Sequence, residues 1–484
     1  MPPLYSLSAV ELVDRLRTGK LSAVELMSET LERISIYNPR INAIVAMRPG
    51  DDLRAEAAAA DALRASGAPL GALHGLPIAV KDTAEVAGIP WTNGSPIFAT
   101  RVTETDCIMA ARLKAAGAII IGKTNVPEFA MGSNTYNPVY GITRNPYDLQ
   151  KTPGGSSGGA AAALAARLVA LADGSDMMGS CRNPAAFCNV YGIRPSVGLM
   201  PDPSISAGEV RISTIGCLAR SVTDIALLLD VQAGAHPHDA DSFGPERPFS
   251  EAVLSPPQSP RVAWLSDFGG AYAYEAGIPP LCEAAMRLMA SKLNAIITPL
   301  TPTTPAASLW TAWTTLRSQK MAANYNALYD DPQKRALLKP EAVWEIEMGR
   351  ALSENDVAHA KALRNEWLDE AARIFASHDF FLLPSAQVFP FDVSQAYPKS
   401  IGGTQMDTYH RWMEVSIPAS LLGLPALAVP CGQAHGQHMG MQIVAKHGAD
   451  GALLAFGRAY ESAFAEAASI SDRAPPPGFG IDEI

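Results

Sequence analysis

Pro153-Gly-Gly-Ser-Ser-Gly-Gly159 runs directly into Ala160-Ala-Ala-Ala-Leu164. Glycine permits positive φ and close backbone approach, and alanine is the strongest helix former. The junction therefore reads as a tight turn entering a helix N-terminus, where unpaired N–H groups collect. Such a turn serves as an anion-binding loop, a flexible linker or an active-site turn. The linker is disfavoured, because structured segments flank the turn on both sides.

Around this turn, residues 70–235 alternate short apolar runs (76–80 and 118–121) with glycine turns and helical stretches such as 160–170. That alternation is an α/β pattern with at least partly parallel strands. Upstream, Ser8-x-x-Glu11 and Ser22-x-x-Glu25 are capping boxes that start two amphipathic helices within 8–37. Gly19 separates these helices, and Asn38-Pro39 is expected to close the second. The alanine-rich stretch 52–66 reads as a surface helix, and this whole first part as packing scaffold. Downstream, 236–330 is rich in Pro and Thr, with Pro-Leu-Thr-Pro-Thr-Thr-Pro at 299–305. Helix and strand signals return with a helix over 341–376, buried strands at 380–383 and 426–430, and a closing helix over 452–468. No internal repeat or clean linker divides the chain. The expected architecture is one large α/β domain over 1–484, with a mixed, mostly parallel central β-sheet covered by helices. Within it, 1–69 forms a helical scaffold, 70–235 the core, and 236–484 the remainder of the same domain.

A chain of 484 residues, 48% hydrophobic and 18% charged, has the composition of a soluble globular protein. The net charge of −10 argues against a nucleic-acid footprint, which would be basic. Cys107, Cys181, Cys188, Cys217, Cys282 and Cys431 are scattered without a C-x-x-C pair, the pattern of reduced thiols in a cytoplasmic protein. No H-E-x-x-H occurs, and His236-Pro-His238 lacks partners at ligand spacing, so no metal is expected. The N-terminus shows no signal-peptide pattern and no ~20-residue apolar run is present, so neither secretion nor a membrane span is expected.

Gly117-Ala-Ile-Ile-Ile-Gly122-Lys123-Thr124 matches the phosphate-loop string G-x-x-x-x-G-K-[ST]. A phosphate loop follows its strand, however, and the β-branched residues between these glycines favour being the strand themselves. Nucleotide binding is not expected there.

Three further features bear on the glycine–serine turn. Lys81 follows the apolar run 76–80, which places its amine at a buried strand end. Asp176-Met-Met-Gly-Ser180-Cys-Arg182 is a second loop with a serine beside a glycine, 24 residues after Ser156. No histidine accompanies either loop, as a Ser–His–Asp site would need, and His74 is the only nearby candidate in sequence.

These segments together resemble the amidase signature family. The resemblance runs through Gly75-Leu-Pro-Ile-Ala-Val-Lys81-Asp82, Gly122-Lys-Thr-Asn-Val-Pro-Glu-Phe-Ala-Met-Gly132 and Thr143-Arg-Asn-Pro146. It continues through the glycine–serine turn, Arg182-Asn-Pro-Ala-Ala-Phe187, Gly192-Ile-Arg-Pro195 and Ala219-Arg-Ser-Val-Thr-Asp-Ile-Ala-Leu-Leu-Leu229. Weaker matches are Gly423-Leu-Pro-Ala-Leu-Ala-Val-Pro430 and Gly440-Met-Gln-Ile443. The resemblance makes 70–235 the signature catalytic core and 236–484 the variable, substrate-side part.

It also implies an amide hydrolase with no cofactor. Ser180 would be the nucleophile that forms an acyl-enzyme. Ser156, preceded by Gly155 on a cis peptide bond in family members, would relay its proton to the base Lys81. A free lysine near pKa 10.4 cannot serve as base at neutral pH, but burial can lower that value by up to about 3–5 units. Backbone N–H groups of Met177, Met178, Gly179 and Ser180 would form the oxyanion hole. The family commonly has two glycines before the serine, and Met178 replaces the first. The hole survives if Met178 tolerates the local backbone, and its side chain would then narrow or line the acyl pocket. Ala130 and Met131 match positions that line the acyl site. Asp176 and Arg182 are expected to pair across the turn as structure. Cys181, in an aliphatic setting, is not expected to be a nucleophile.

The expected partner is a small-molecule amide substrate, with esters or carbamates accepted through the same intermediate. Nucleic acid and membrane are not expected as partners, and a homodimer is the expected assembly. Two alternatives remain open: the amidase-fold subunit of a tRNA-dependent glutamine amidotransferase, and a catalytically weakened binding module. Finally, Trp310, Trp313, Met321 and Tyr325 recur at helical spacing in 310–325, a stripe that fits core or an aromatic-tolerant pocket.

Overall fold

The apolar runs form strands because β-branched side chains pack well on a pleated surface. In the computed structural model, which describes residues 2–206, 208–467 and 474–481, eleven strands join one sheet. In chain order they are β1 (Ile44–Val45), β2 (Pro77–Lys81), β3 (Ile119–Thr124), β4 (Leu171–Asp176), β5 (Tyr191–Arg194) and β6 (Thr214–Ala219). Next come β7 (Arg261–Trp264), β8 (Ile296–Pro299), β9 (Phe380–Pro384), β10 (Ala426–Ala434) and β11 (Gln437–Ala445). Their spatial order is β1-β3-β2-β4-β6-β5-β10-β11-β9-β7-β8.

The sheet is mixed, as expected, but its parallel pairs sit in two flanking blocks, β3-β2-β4 and β9-β7-β8. Antiparallel strands fill the middle, so the partly parallel character that the α/β alternation suggested lies in those two blocks. The reason is local at β10 and β11, which only His435 and Gly436 connect, both with positive φ. A two-residue turn of that hand makes a hairpin, and a hairpin is antiparallel.

Helices pack against the sheet along its length. Both N-terminal capping boxes form, and Gly19 ends the first helix in the left-handed region. The second helix does not stop at Asn38-Pro39; it runs to Ile41 with Pro39 inside its last turn. There the Asn38 side chain accepts from the amides of Ala43 and Ile44, and so holds the exit of the chain. The expected helix over 341–376 is two helices, Pro340–Ala351 and Glu354–Ser377, the second restarted by a capping box at Ser353. The closing helix covers Asp450–Ala467, and Ala468 lies outside the described residues.

The string resembling a phosphate loop is strand β3, and the Lys123 amine donates to the Ala84 carbonyl. The alanine helix after the glycine–serine turn, Gly158–Ala165, is wholly buried. Its glycines are needed for close approach: a Cβ on Gly159 would lie 2.3 Å from the Asn125 amide nitrogen. β2 and β4 are parallel neighbours that end at Lys81 and Asp176, so both residues emerge at the carboxyl edge of the sheet. Ligands of open α/β sheets bind at that edge. Among the described residues, no helix is long and apolar enough to cross a membrane.

Candidate active site

Lys81 is fully buried, and its Nζ reaches Ser156 Oγ at 2.8 Å, Ser157 Oγ at 2.9 Å and Ser175 Oγ at 2.9 Å. Burial disfavours the ammonium form and lowers the pKa of Lys81 to about 8, against the nearby charges of Asp173 and Asp176. The Lys81 amide donates to Asp173 Oδ1 at 2.7 Å, which fixes the strand end beneath the amine. Burial in turn pushes the Asp173 carboxyl up to about 7.

The glycine–serine turn brings Ser156 to this amine, and the Gly155–Ser156 peptide bond is cis. Ser133 holds the residue before it on both sides: its hydroxyl donates to the Gly155 carbonyl at 2.6 Å and accepts from the Gly155 amide at 3.0 Å. Thr135 Oγ1 donates to the Gly154 carbonyl at 2.8 Å. The Ser157 amide donates to the Ser180 carbonyl at 3.1 Å and ties the two serine loops together.

The second loop is organised by Asp176. Its carboxylate accepts from the amides of Gly179 (2.9 Å) and Cys181 (3.1 Å), and from Arg182 Nε and Nη2 at 3.0 and 2.8 Å. Despite complete burial, the guanidinium groups of Arg182 and Arg194 hold this carboxyl far below the usual carboxylate range. Arg182 also donates to Gln442 Oε1 at 2.6 Å and Ser420 Oγ at 2.7 Å, which joins the turn to the far half of the sheet. The pair is fully buried and does not line the cavity. Removing one partner of a buried ion pair costs about 3–5 kcal/mol, so Arg182→Met is expected to lower the unfolding free energy by about that amount. Urea denaturation at fixed pH measures it.

Within 176–182 only Gly179 has positive φ, at +84°. Met178 therefore occupies a position that any residue can adopt, and the turn forms with a methionine there. The Gly179 amide, expected as an oxyanion donor, is instead committed to Asp176. Among the described residues, no protein group accepts from the amides of Met177, Met178 and Ser180.

Ser156 and Ser180 open into one cavity of about 690 Å³. Ala130 and Met131 line it, as do Met177 and Met178. From the stripe at 310–325, Met321 and Tyr325 reach the cavity, whereas Trp313 is fully buried in the main core. Trp310 packs against His410 and Arg411 outside the cavity wall. Among the described residues, no histidine lines the cavity; His74 hydrogen-bonds the backbone of Ala60 in the scaffold. Cys181 is fully buried and its thiol is pushed far up by desolvation, which leaves it inert.

Sequence reasoning missed Ser157, Ser175, Ser133 and Thr135. A signal existed for Ser175. Strand alternation puts it on the same face of β4 as Asp173, and both reach Lys81.

A family model described as Amidase matches residues 25–454. A glutamyl-tRNA(Gln) amidotransferase subunit from Chloroflexus aurantiacus is 32% identical, over 95% of this chain and 97% of its own length. An acylamidase from Rhodococcus erythropolis is 32% identical, over 95% of this chain and 96% of its own. The crystal structure of a bacterial aryl acylamidase of the amidase signature enzymes is 27% identical, with a TM-score of 0.87, over 94% of this chain and 96% of that one.

Proposed function

Because this chain belongs to the amidase signature family, we propose that it hydrolyses the C–N bond of small-molecule carboxamides through an acyl-enzyme on Ser180. The observation that carries this reading is a fully buried amine 2.8 Å from Ser156 Oγ, in a shell of serine hydroxyls. Neutral Lys81 accepts the Ser156 proton, Ser156 accepts the Ser180 proton, and Ser180 Oγ bonds to the carbonyl carbon. The oxyanion is held by the uncommitted amides of Met177, Met178 and Ser180. Collapse of the intermediate breaks the C–N bond, and the proton on Lys81 returns through Ser156 to the departing amine. Water then repeats the sequence on the ester and releases the acid. Ser157 and Ser175 hold Nζ in line, and Ala130 and Met131 border the acyl group. Esters and carbamates enter by the same intermediate. The cytoplasm suits an enzyme whose cysteines are all free.

The base must be neutral to act. With its pKa lowered to about 8, Lys81 is mostly charged at pH 6 and mostly neutral at pH 9. kcat/KM is thus expected to rise tenfold per pH unit below about 8 and to level off above it. A profile falling across this range contradicts a lysine base. Hydroxylamine tests the intermediate: it should divert the acyl group to hydroxamate while amine release continues. Release of acid and amine without any hydroxamate at high hydroxylamine would refute the acyl-enzyme.

Likeness to the glutamyl-tRNA(Gln) amidotransferase subunit over nearly the whole chain favours a second reading. In it the chain is one component of such an amidotransferase and works on glutamine-derived amide nitrogen. Co-expression with candidate partner subunits separates the two readings: a stable complex with amidotransferase activity supports the second, and amide turnover by the isolated chain the first.

A further inference from the structure

One wall of the cavity belongs to a small apolar cluster that is separate from the main core. Phe129 and Tyr325 form its aromatic part, with ring centroids 4.8 Å apart at 50°. Met131, Met177 and Met321 surround them, and all five residues line the cavity that holds Ser156 and Ser180. One of the thioethers is held in place: Arg317 Nη1 lies 3.1 Å from Met177 Sδ. Arg317 is itself fixed by Glu345 at 2.5 Å and by Tyr409 Oη at 2.7 Å.

Two properties of this wall select for shape and electronics as well as for area. Aromatic rings prefer tilted or offset neighbours because a ring carries a negative face and a positive edge, and the Phe129–Tyr325 pair offers both to a third ring. Thioether sulfur makes favourable contact with ring edges, and unbranched methionine adapts to the outline of its guest. A saturated ring of the same size covers the same apolar area but gains neither contribution.

We infer that the Phe129–Tyr325–methionine wall is a subsite for an aromatic ring of the substrate. The enzyme's preferred substrates are then aryl amides, with the ring on the acyl or on the amine side. This use of the wall rests on the hydrolase reading above, but binding to it does not depend on turnover. The test therefore employs Ser180→Ala protein and calorimetric Kd values for two matched pairs. Benzamide against cyclohexanecarboxamide probes the acyl side, and acetanilide against N-cyclohexylacetamide probes the amine side.

In one pair the aromatic member is expected to bind about tenfold more tightly. Tyr325→Leu should bring that ratio close to one, whereas Tyr325→Phe, which keeps the ring, should preserve it. If Tyr325→Leu does not fold, Phe129→Leu is measured in its place. The pair that shows the preference places the ring on the acyl or the amine side. Ratios near one in both pairs, or a preference that survives the loss of either wall ring, would overturn the subsite. Failure of the hydrolase reading looks different: wild-type protein would turn over no amide while the binding preference persisted.

Discussion

Ser180→Ala is expected to reduce amide turnover by about 10⁶-fold, the order seen when a catalytic serine acting in concert with its base is removed. The size of the loss reflects a change of mechanism: without Oγ no acyl-enzyme forms, and only binding and the oxyanion donors remain to assist water. The substitution is structurally mild. The link between the two serine loops runs from the Ser157 amide to the Ser180 carbonyl, and alanine keeps that carbonyl. Thermal unfolding should therefore be unchanged while activity vanishes. Intact-protein mass spectrometry after exposure to a fluorophosphonate gives an independent readout. One adduct is expected on the wild type and none on Ser180→Ala, and an adduct that persists on the variant would move the nucleophile elsewhere.

Lys81→Met should cost about 10²–10⁴-fold in kcat/KM, the usual contribution of a positioned general acid–base group. Methionine keeps the length and burial of the side chain but has no proton to exchange. Replacing a buried amine by an apolar group of similar length removes a desolvation cost, so the protein should fold at least as well. Of the three hydroxyls left behind, Ser157 retains its contacts with the Ser175 backbone. The distinguishing observation is the pH profile. The residual activity of Lys81→Met should lack the rise toward about 8 that burial gives the wild-type lysine. A variant with near wild-type rates, or one that keeps that rise, would assign the base to another group.

The placement of Lys81, Ser156 and Ser180 was legible because these residues lie at ends of strongly patterned elements. Lys81 closes a continuous apolar strand, and Ser156 and Ser180 lie in loops whose glycine content has a backbone reason. Ser157 and Ser175 were not legible, because a serine hydroxyl carries no periodicity and its partner lies across the sheet. The commitment of the Gly179 amide to Asp176 was hidden for a related reason, since a turn's hydrogen bonds depend on its path. Gly117–Thr124 shows the converse, as composition read with its β propensity placed the octamer in a strand despite its matching letters.

In the tertiary structure, the helical spacing of Trp310, Trp313, Met321 and Tyr325 was resolved only by what each side of the helix Ala306–Asp330 meets. Trp313 faces the main core, while Met321 and Tyr325 face the cavity. The antiparallel middle of the sheet depended on pairings such as β5 with β10, between segments far apart in sequence, which alternation along the chain cannot reveal.

The small apolar cluster beside the cavity has a consequence for how such an enzyme can diversify. Lys81, Ser156, Ser175 and Ser180 come from a single stretch of the chain. The helices Ala306–Asp330 and Pro340–Ala351 meet that stretch in a small hydrophobic nucleus to which both contribute, Phe129, Met131 and Met177 from the stretch and Met321, Tyr325, Ala342 and Ile346 from the helices. In the proposed enzyme the reacting groups thus come from one segment, while the apolar wall beside them is built by both. Exchange of the helical segment between relatives would retune the half of the wall that carries Met321 and Tyr325 and leave the reacting groups in place.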